Sequence, residues 1–139
     1  MTREIDCAYC RGGDGLEDRL WTGEKCRVVL IHDTAFAGWC RVIWNYHARE
    51  LTDLTRDERI HVMDVVAAVE AGLLDLLSPT KINIAALGTA APHLHFHVIP
   101  RFADDPTFPD PVWLPATRAS KRALPAGFAD DMRRHLGML

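Results

Sequence analysis

Apolar positions recur in two distinct periods along this chain, and the periods divide it into strands and one long helix. Cys26–Ile31 (CRVVLI) is rich in β-branched residues and reads as a strand. After a break from His32 to Gly38, Trp39–Trp44 (WCRVIW) reads as a second strand, antiparallel to the first. A helix starts at Thr55, where Thr55-Arg56-Asp57-Glu58 fits a capping box whose hydroxyl and carboxylate satisfy free backbone N–H groups. Ile60, Met63, Val66, Ala67, Leu73, Leu74 and Leu77 recur at helical spacing and predict its buried stripe, and Ser78-Pro79 ends it. Two further strands follow, Ile82–Leu87 and Leu94–Ile99, separated by Gly88-Thr89-Ala90-Ala91. Pro92 and Pro100 bracket the last of these, since a proline is unwelcome inside a central strand.

The ends are less regular. Residues 1–19 read as irregular, with a Cys-x-x-Cys pair and then the turn-rich Arg11-Gly12-Gly13-Asp14-Gly15. Beyond Arg101 prolines at 106, 109, 111 and 115 predict a loop, and a short helix fits between Gly127 and Leu136 with Gly137 as its stop. No repeat or linker divides the chain, so residues 1–139 read as one domain. The expected class is α+β: a mainly antiparallel sheet of about five strands, one long helix and a shorter C-terminal helix.

Composition narrows the function. With 48% apolar and 25% charged residues, the chain has an ordinary globular balance. A formal charge of −3 offers no basic footprint for a nucleic-acid polymer. No apolar run approaches the roughly 20 residues of a membrane span, so no membrane partner is expected. The polar start MTREIDCAYC lacks the apolar stretch of a secretory signal, which makes a cytoplasmic address the expectation. There Cys7, Cys10, Cys26 and Cys40 are expected to stay reduced.

The sharpest chemistry lies in His93-Leu94-His95-Phe96-His97. In a strand, alternate side chains share a face and each two-residue step advances about 6.6 Å. His93, His95 and His97 would line one face while Leu94, Phe96 and Val98 enter the core. A neutral imidazole attacks phosphorus readily near pH 7, and an imidazole neighbour can supply a proton. The same spacing fits a metal site, so spacing alone leaves both readings open.

The stretch KINIAALGTAAPHLHFHVIPR (Lys81–Arg101) resembles the signature of the histidine triad family, His-φ-His-φ-His-φ-φ followed by Pro-Arg, with φ apolar. CRVVLIHDTAFAGWCRVIWNYHARELTDLT (Cys26–Thr55) and DDPTFPDPVW (Asp104–Trp113) are similar to a bacterial, diadenosine-tetraphosphate-hydrolase-like branch. The resemblance implies a hydrolase or nucleotidyl transferase acting at the α-phosphate of a dinucleoside polyphosphate or nucleoside phosphoramidate. No cofactor is implied for that chemistry. His95 would be the nucleophile, forming a nucleotidyl-histidine. His97 would hold phosphoryl oxygens and help protonate the leaving group, and His93 would orient the cluster or bind a metal. Asp33 sits where the family places a polar residue on the ribose hydroxyls; it also fits a turn aspartate bonded to its own backbone. Asn83 falls near a ribose- or phosphate-contacting position and reads equally as a surface amide. Family members often carry Gly-Gln-Ser/Thr before the triad, whereas this chain has Gly88-Thr89-Ala90, leaving Gly88 and Thr89 with backbone N–H groups as the phosphate contacts.

Some triad proteins, and the related galactose-1-phosphate uridylyltransferases, close a structural zinc site with two cysteines, a histidine and the first triad histidine. Here the corresponding set is Cys7, Cys10, His47 and His93; the other reading is two loose thiols and a hydrogen-bonded His47. His32, His61 and His135 read as surface residues, Cys26 and Cys40 as core. Trp39, Trp44 and Trp113 could wall a base-binding cleft; core packing is the expectation for the first two, and a pocket or dimer contact for Trp113. The resemblance further implies a homodimer with a small-molecule nucleotide as partner. Two competing readings stand beside it: a nucleotide-binding module with little turnover, and a metalloprotein with His93, His95 and His97 as ligands.

Overall fold

Five short segments pair edge to edge because each alternates side chains between a core face and an open face. In the computed structural model, which describes residues 6–12, 17–120 and 122–139, they are β1 (Glu17–Thr22), β2 (Cys26–Ile31), β3 (Cys40–Trp44), β4 (Lys81–Ala85) and β5 (His95–Arg101). They form one antiparallel sheet in the order β1-β2-β3-β5-β4. Helix α1 (Arg56–Leu77) lies between β3 and β4 in sequence, and α2 (Phe128–Leu136) closes the chain. This is the expected α+β architecture.

One sheet face is apolar. Val28 and Leu30 of β2, Val42 and Trp44 of β3, and Phe96 and Val98 of β5 join Val62, Val65, Val69 and Leu73 of α1 in the core. Cys26 and Cys40 belong to it, and burial pushes both thiols up to about 12, which leaves them unreactive. Phe128, Met132 and Leu136 bury one face of α2. Gly72 lets the two helices approach: a Cβ there would stand 2.9 Å from the Met132 sulfur.

Helix α1 begins as its capping box predicts. The Thr55 hydroxyl accepts from the Glu58 N–H at 3.2 Å, and the Glu58 carboxylate accepts from the Thr55 N–H at 2.9 Å. Ser78 ends it in the left-handed conformation. Its buried stripe differs from the expected one. Val62, Val65, Val66, Val69 and Leu73 face the core, whereas Ile60, Met63, Ala67 and Leu74 are exposed. The helix carries two apolar stripes, and the valine-rich one fits against the sheet.

Three boundaries also differ. Strand β1 begins at Glu17, inside the stretch read as irregular; only Leu20 of it is buried, so its apolar signal is faint. The expectations for residues 1–5 and 13–16 lie outside the described residues. Strand β4 ends at Ala85, which frees Ala86 and Leu87 for the following loop. Pro100 lies within β5 rather than after it. Arg101 turns its carbonyl to the Thr80 N–H on the β4 side, so Pro100 turns its nitrogen the other way, where pairing with β3 has ended at Cys40–Val98. Gly38, at φ +87°, covers that gap; a Cβ there would strike the Pro100 ring at 2.8 Å. Among the described residues, no helix is long and apolar enough to cross a membrane.

Candidate active site

Alternation along β5 decides which side chains meet on the open face. Phe96 and Val98 enter the core, so His95 and His97 point the other way, with their rings 4.9 Å apart and nearly perpendicular. His93 joins them although it precedes β5 and sits in a bend. All three histidines are buried. Across the sheet, His97 pairs with Arg41 and His95 with Ile43.

Fixed donors and acceptors set the proton on each ring. Nδ1–H of His95 donates to the His93 carbonyl at 2.6 Å, so the free lone pair of His95 is on Nε2. The Trp39 indole N–H, which can only donate, reaches Nδ1 of His97 at 3.0 Å, so the proton of neutral His97 is on Nε2. Burial lowers His95 below the usual imidazole range, opposed by the bond to the His93 carbonyl and assisted by Arg41. Burial, then the His95 and Arg41 charges, bring His97 down to about 4. At pH 7 His97 is a neutral hydrogen-bond donor.

The amino-terminal segment covers this face. The Tyr9 ring lies 4.8 Å from that of His95 and 5.6 Å from that of His93. Arg27, buried in β2, donates to the Tyr9 carbonyl at 2.7 Å and to Asn45 Oδ1 at 3.1 Å. Cys7 and Cys10 flank Tyr9 and place their sulfurs 3.3 and 3.4 Å from His93 Nδ1; Cys10 also lies 3.5 Å from His47 Nδ1. The four ligand atoms all fall within 4.8 Å of one another. Ordinary Zn–S and Zn–N bond lengths at tetrahedral angles put sulfur and nitrogen roughly 3.6 Å apart, so these residues fit a closed zinc site. His93 Nε2–H donates to the Trp44 carbonyl at 2.5 Å, which leaves Nδ1 as the ligand atom and orients the ring. Among the described residues, this metal-capable cluster takes in neither His95 nor His97.

Beside the histidines lies an open cleft of about 480 Å³, lined by Tyr9, Arg41, His95, His97, Trp113 and residues 87–91. Gly88 and Thr89 therefore reach the histidines, with Gly88 at φ +70°, in the left-handed region that favours glycine. Asp33 and Asn83 are not brought there. Asp33 is exposed in the turn after β2 and does not line the cleft. Asn83 Oδ1 accepts from Arg101 at 2.8 Å and lines an adjoining groove between β4 and the 109–113 loop. Trp113, exposed, belongs to both hollows. Its loop is tied down by buried Arg101, whose Nε and Nη2 donate to the two Asp105 oxygens at 2.8 and 3.0 Å, with a further bond to the Asp110 carbonyl at 2.8 Å.

Three residues around the histidines have roles that a reading of the sequence does not assign. Trp39 reads as a core residue of a strand, yet it lies just before β3 and touches His97. Arg41 reads as an outward strand residue. Tyr9 is hidden inside the Cys-x-x-Cys pair, and its place between Cys7 and Cys10 is the one signal it carries.

The fold recurs in solved structures. A histidine triad protein from Bradyrhizobium japonicum is 27% identical, with 87% of this chain and 91% of that one covered and a TM-score of 0.74. One from Marinobacter aquaeolei is also 27% identical, with 89% and 91% covered and a TM-score of 0.74. A zinc-bound histidine triad family protein from Mycobacterium smegmatis shares the fold at 22% identity, with 96% and 95% covered and a TM-score of 0.65. No curated protein matches the chain. Residues 17–104, well over half the chain, match the HIT domain, and the sheet that presents His95 and His97 lies within that span, so the chain belongs to the HIT domain family.

Proposed function

We propose that the chain, read as one HIT domain over residues 1–139, is a nucleotide hydrolase or nucleotidyl transferase. It acts at the α-phosphate of a dinucleoside polyphosphate or nucleoside phosphoramidate-type substrate through a covalent nucleotidyl-His95 intermediate. One observation carries this reading: His95 lines the cleft with its Nδ1–H tied to the His93 carbonyl, so Nε2 is its nucleophilic atom. In the first step Nε2 bonds to phosphorus and the bond from phosphorus to the leaving group breaks. The His93 carbonyl stabilises the positive charge that develops on the ring. In the second step water attacks phosphorus, the P–N bond breaks and its electrons return to Nε2, while the water's proton passes to solvent.

His97 donates a hydrogen bond from Nε2 to a phosphoryl oxygen throughout. Held neutral, it has no spare proton for a leaving amine, whereas a polyphosphate departs as an anion and needs none. That favours the phosphoanhydride within the two substrate classes, and with it the diadenosine-tetraphosphate-hydrolase-like branch of the family. The test is a rapid-quench reaction with a panel of dinucleoside polyphosphates and phosphoramidates, followed by mass spectrometry of the intact protein. A nucleotidyl adduct mapping to His95 is expected. Binding with no adduct from any member of the panel would favour a nucleotide-binding module instead.

The same reading holds a structural zinc on Cys7, Cys10, His47 and His93. Bound there, zinc supplies a cross-link between the amino-terminal segment and the triad, and no reaction chemistry. It also makes the chain a homodimer, supported by the exposed apolar Ile60, Met63 and Leu74 on α1, Ile84 on the edge strand β4 and Leu87 in the loop after it. We place the protein in the cytoplasm, where its four cysteines, none of them in a disulfide, stay reduced. Native mass spectrometry reads both claims at once: two chains, each with one zinc, are expected, and a Cys7→Ser/Cys10→Ser variant should lose the metal.

A further inference from the structure

An enzyme that attacks a phosphate needs positive charge near the oxygens where negative charge gathers. In this cleft the histidines offer little of it: His95 presents the lone pair of Nε2, and His97 presents a single N–H. Loop 87–91 contributes backbone and the Thr89 side chain. Of the residues that line the cleft, Arg41 is the one arginine, and no lysine, aspartate or glutamate is among them.

Its surroundings are unusual for a half-buried arginine. It stands directly across from His97 in the β3–β5 pairing, on the same sheet face and about 5 Å away between Cβ atoms. One Nη1–H donates to the Tyr9 hydroxyl at 3.0 Å. Its Nε is buried and has no partner. Among the described residues, no carboxylate forms an ion pair with it. A buried guanidinium N–H without an acceptor is costly, and the side chain retains that cost beside the nucleophile. What completes the arrangement is an anion, and the rigid donor fork of arginine matches a phosphoryl group.

We propose that Arg41 is the phosphate clamp of this site: its guanidinium binds the non-bridging oxygens of the phosphorus attacked by His95, and the Tyr9 hydroxyl positions it. The proposal rests on the nucleotidyl-histidine reading for its catalytic part and on the geometry alone for its binding part. It extends the role of the Cys7–Cys10 segment, which fixes Tyr9 over His95 and thereby aims the clamp.

The test compares the intact wild-type protein with Arg41→Met, Arg41→Lys and Tyr9→Phe variants, each checked for an unchanged fold by its circular dichroism melt. Arg41→Met, which keeps the apolar stem, is expected to weaken adenosine 5′-monophosphate by about 10- to 100-fold and leave adenosine unchanged. Adduct formation on His95 should slow by about 10²- to 10³-fold. Arg41→Lys should recover part of the binding and little of the rate, because a point charge lacks the fork. Tyr9→Phe should lower the adduct rate several-fold with little change in nucleotide affinity, a split that a merely structural tyrosine would not give. If Arg41→Met binds the monophosphate as tightly as wild type, the clamp is overturned. If wild type forms no adduct and Arg41→Met still loses the monophosphate selectively, the nucleophile reading fails and the clamp stands. Should Arg41→Met melt early, Arg41→Lys carries the same test, and wild-type monophosphate affinity and adduct rate in it would overturn the proposal.

Discussion

Replacing His95 by alanine should lower turnover by at least about 10⁴-fold while nucleotide affinity changes by less than about tenfold. The expectation follows from what the ring does and what it does not hold. Its Nε2 is the attacking atom, so removing the ring removes the covalent route, and no neighbour can replace it. His97 turns its N–H, not a lone pair, toward the ligand, because the Trp39 indole occupies Nδ1. His93 is turned away, with Nε2–H bonded to the Trp44 carbonyl and Nδ1 among the cysteine sulfurs. Steady-state assays together with calorimetric titration of a nucleoside monophosphate separate the two effects. A variant that keeps one part in ten of wild-type turnover would place the nucleophile elsewhere. A variant that loses binding and turnover in equal measure would make His95 a contact residue.

Much of this arrangement is legible in the amino-acid sequence because strand alternation is a rigid rule. Leu94, Phe96 and Val98 announce a core face, and the histidines between them must share the other. The helix cap at Thr55 is equally local: four residues determine it. The failures come where the deciding contact is distant. Helix α1 offers an apolar stripe on either side, and only the shape of the sheet beneath selects Val62, Val65 and Val69 over Ile60 and Met63. Pro100 is admitted to β5 because β3 stops short, a fact about a different strand. Arg41, Trp39 and Tyr9 carry no motif of their own; pairing and segment docking bring them to the histidines. Asp33 lies in the turn after β2 and Asn83 on β4 against Arg101, places set by loop course and pairing that likeness alone does not fix.

The site also depends on parts remote from its chemistry. The amino-terminal segment is held by Arg27 at the Tyr9 carbonyl and by the cysteine–histidine cluster, so two independent ties keep Tyr9 against His95. On the other side, Trp113 reaches the cleft from a proline-rich loop with little regular structure. Such a loop holds one shape only if its polar groups are satisfied internally. Arg101 and Asp105 meet that need. The Asp105 carboxylate accepts from the N–H groups of Phe102, Thr107 and Phe108 as well as from Arg101.

Breaking that centre should cost more stability than any surface change. Asp105→Ala leaves the Arg101 guanidinium, 2% exposed, without its counterion, a loss of about 3–5 kcal/mol. For a chain of this size that lowers the melting temperature by about 10–15 °C, and the Trp113 fluorescence should change as its loop loosens. The pH dependence supplies an internal check. Burial raises the Asp105 carboxyl, but the Arg101 bond and the backbone N–H groups outweigh it, and its folded value lies below the ordinary 3.8. Its contribution is therefore full above about pH 3.8 and disappears as the pH falls through the lower, folded value. His97 acts earlier: unfolded it takes a proton near 6.5, folded only near 4, so stability declines across that interval as the pH drops. Wild-type unfolding free energy, measured by urea titration from pH 7 to 3, should thus fall in two stages. Asp105→Ala should keep the His97 stage and shrink the lower one, starting from a reduced value at pH 7. Asp53, held low by the Glu50 and Arg49 N–H groups, also contributes to that lower stage. A variant as stable as wild type at pH 7, or one whose lower stage is undiminished, would show that the Arg101–Asp105 pair does not hold the loop.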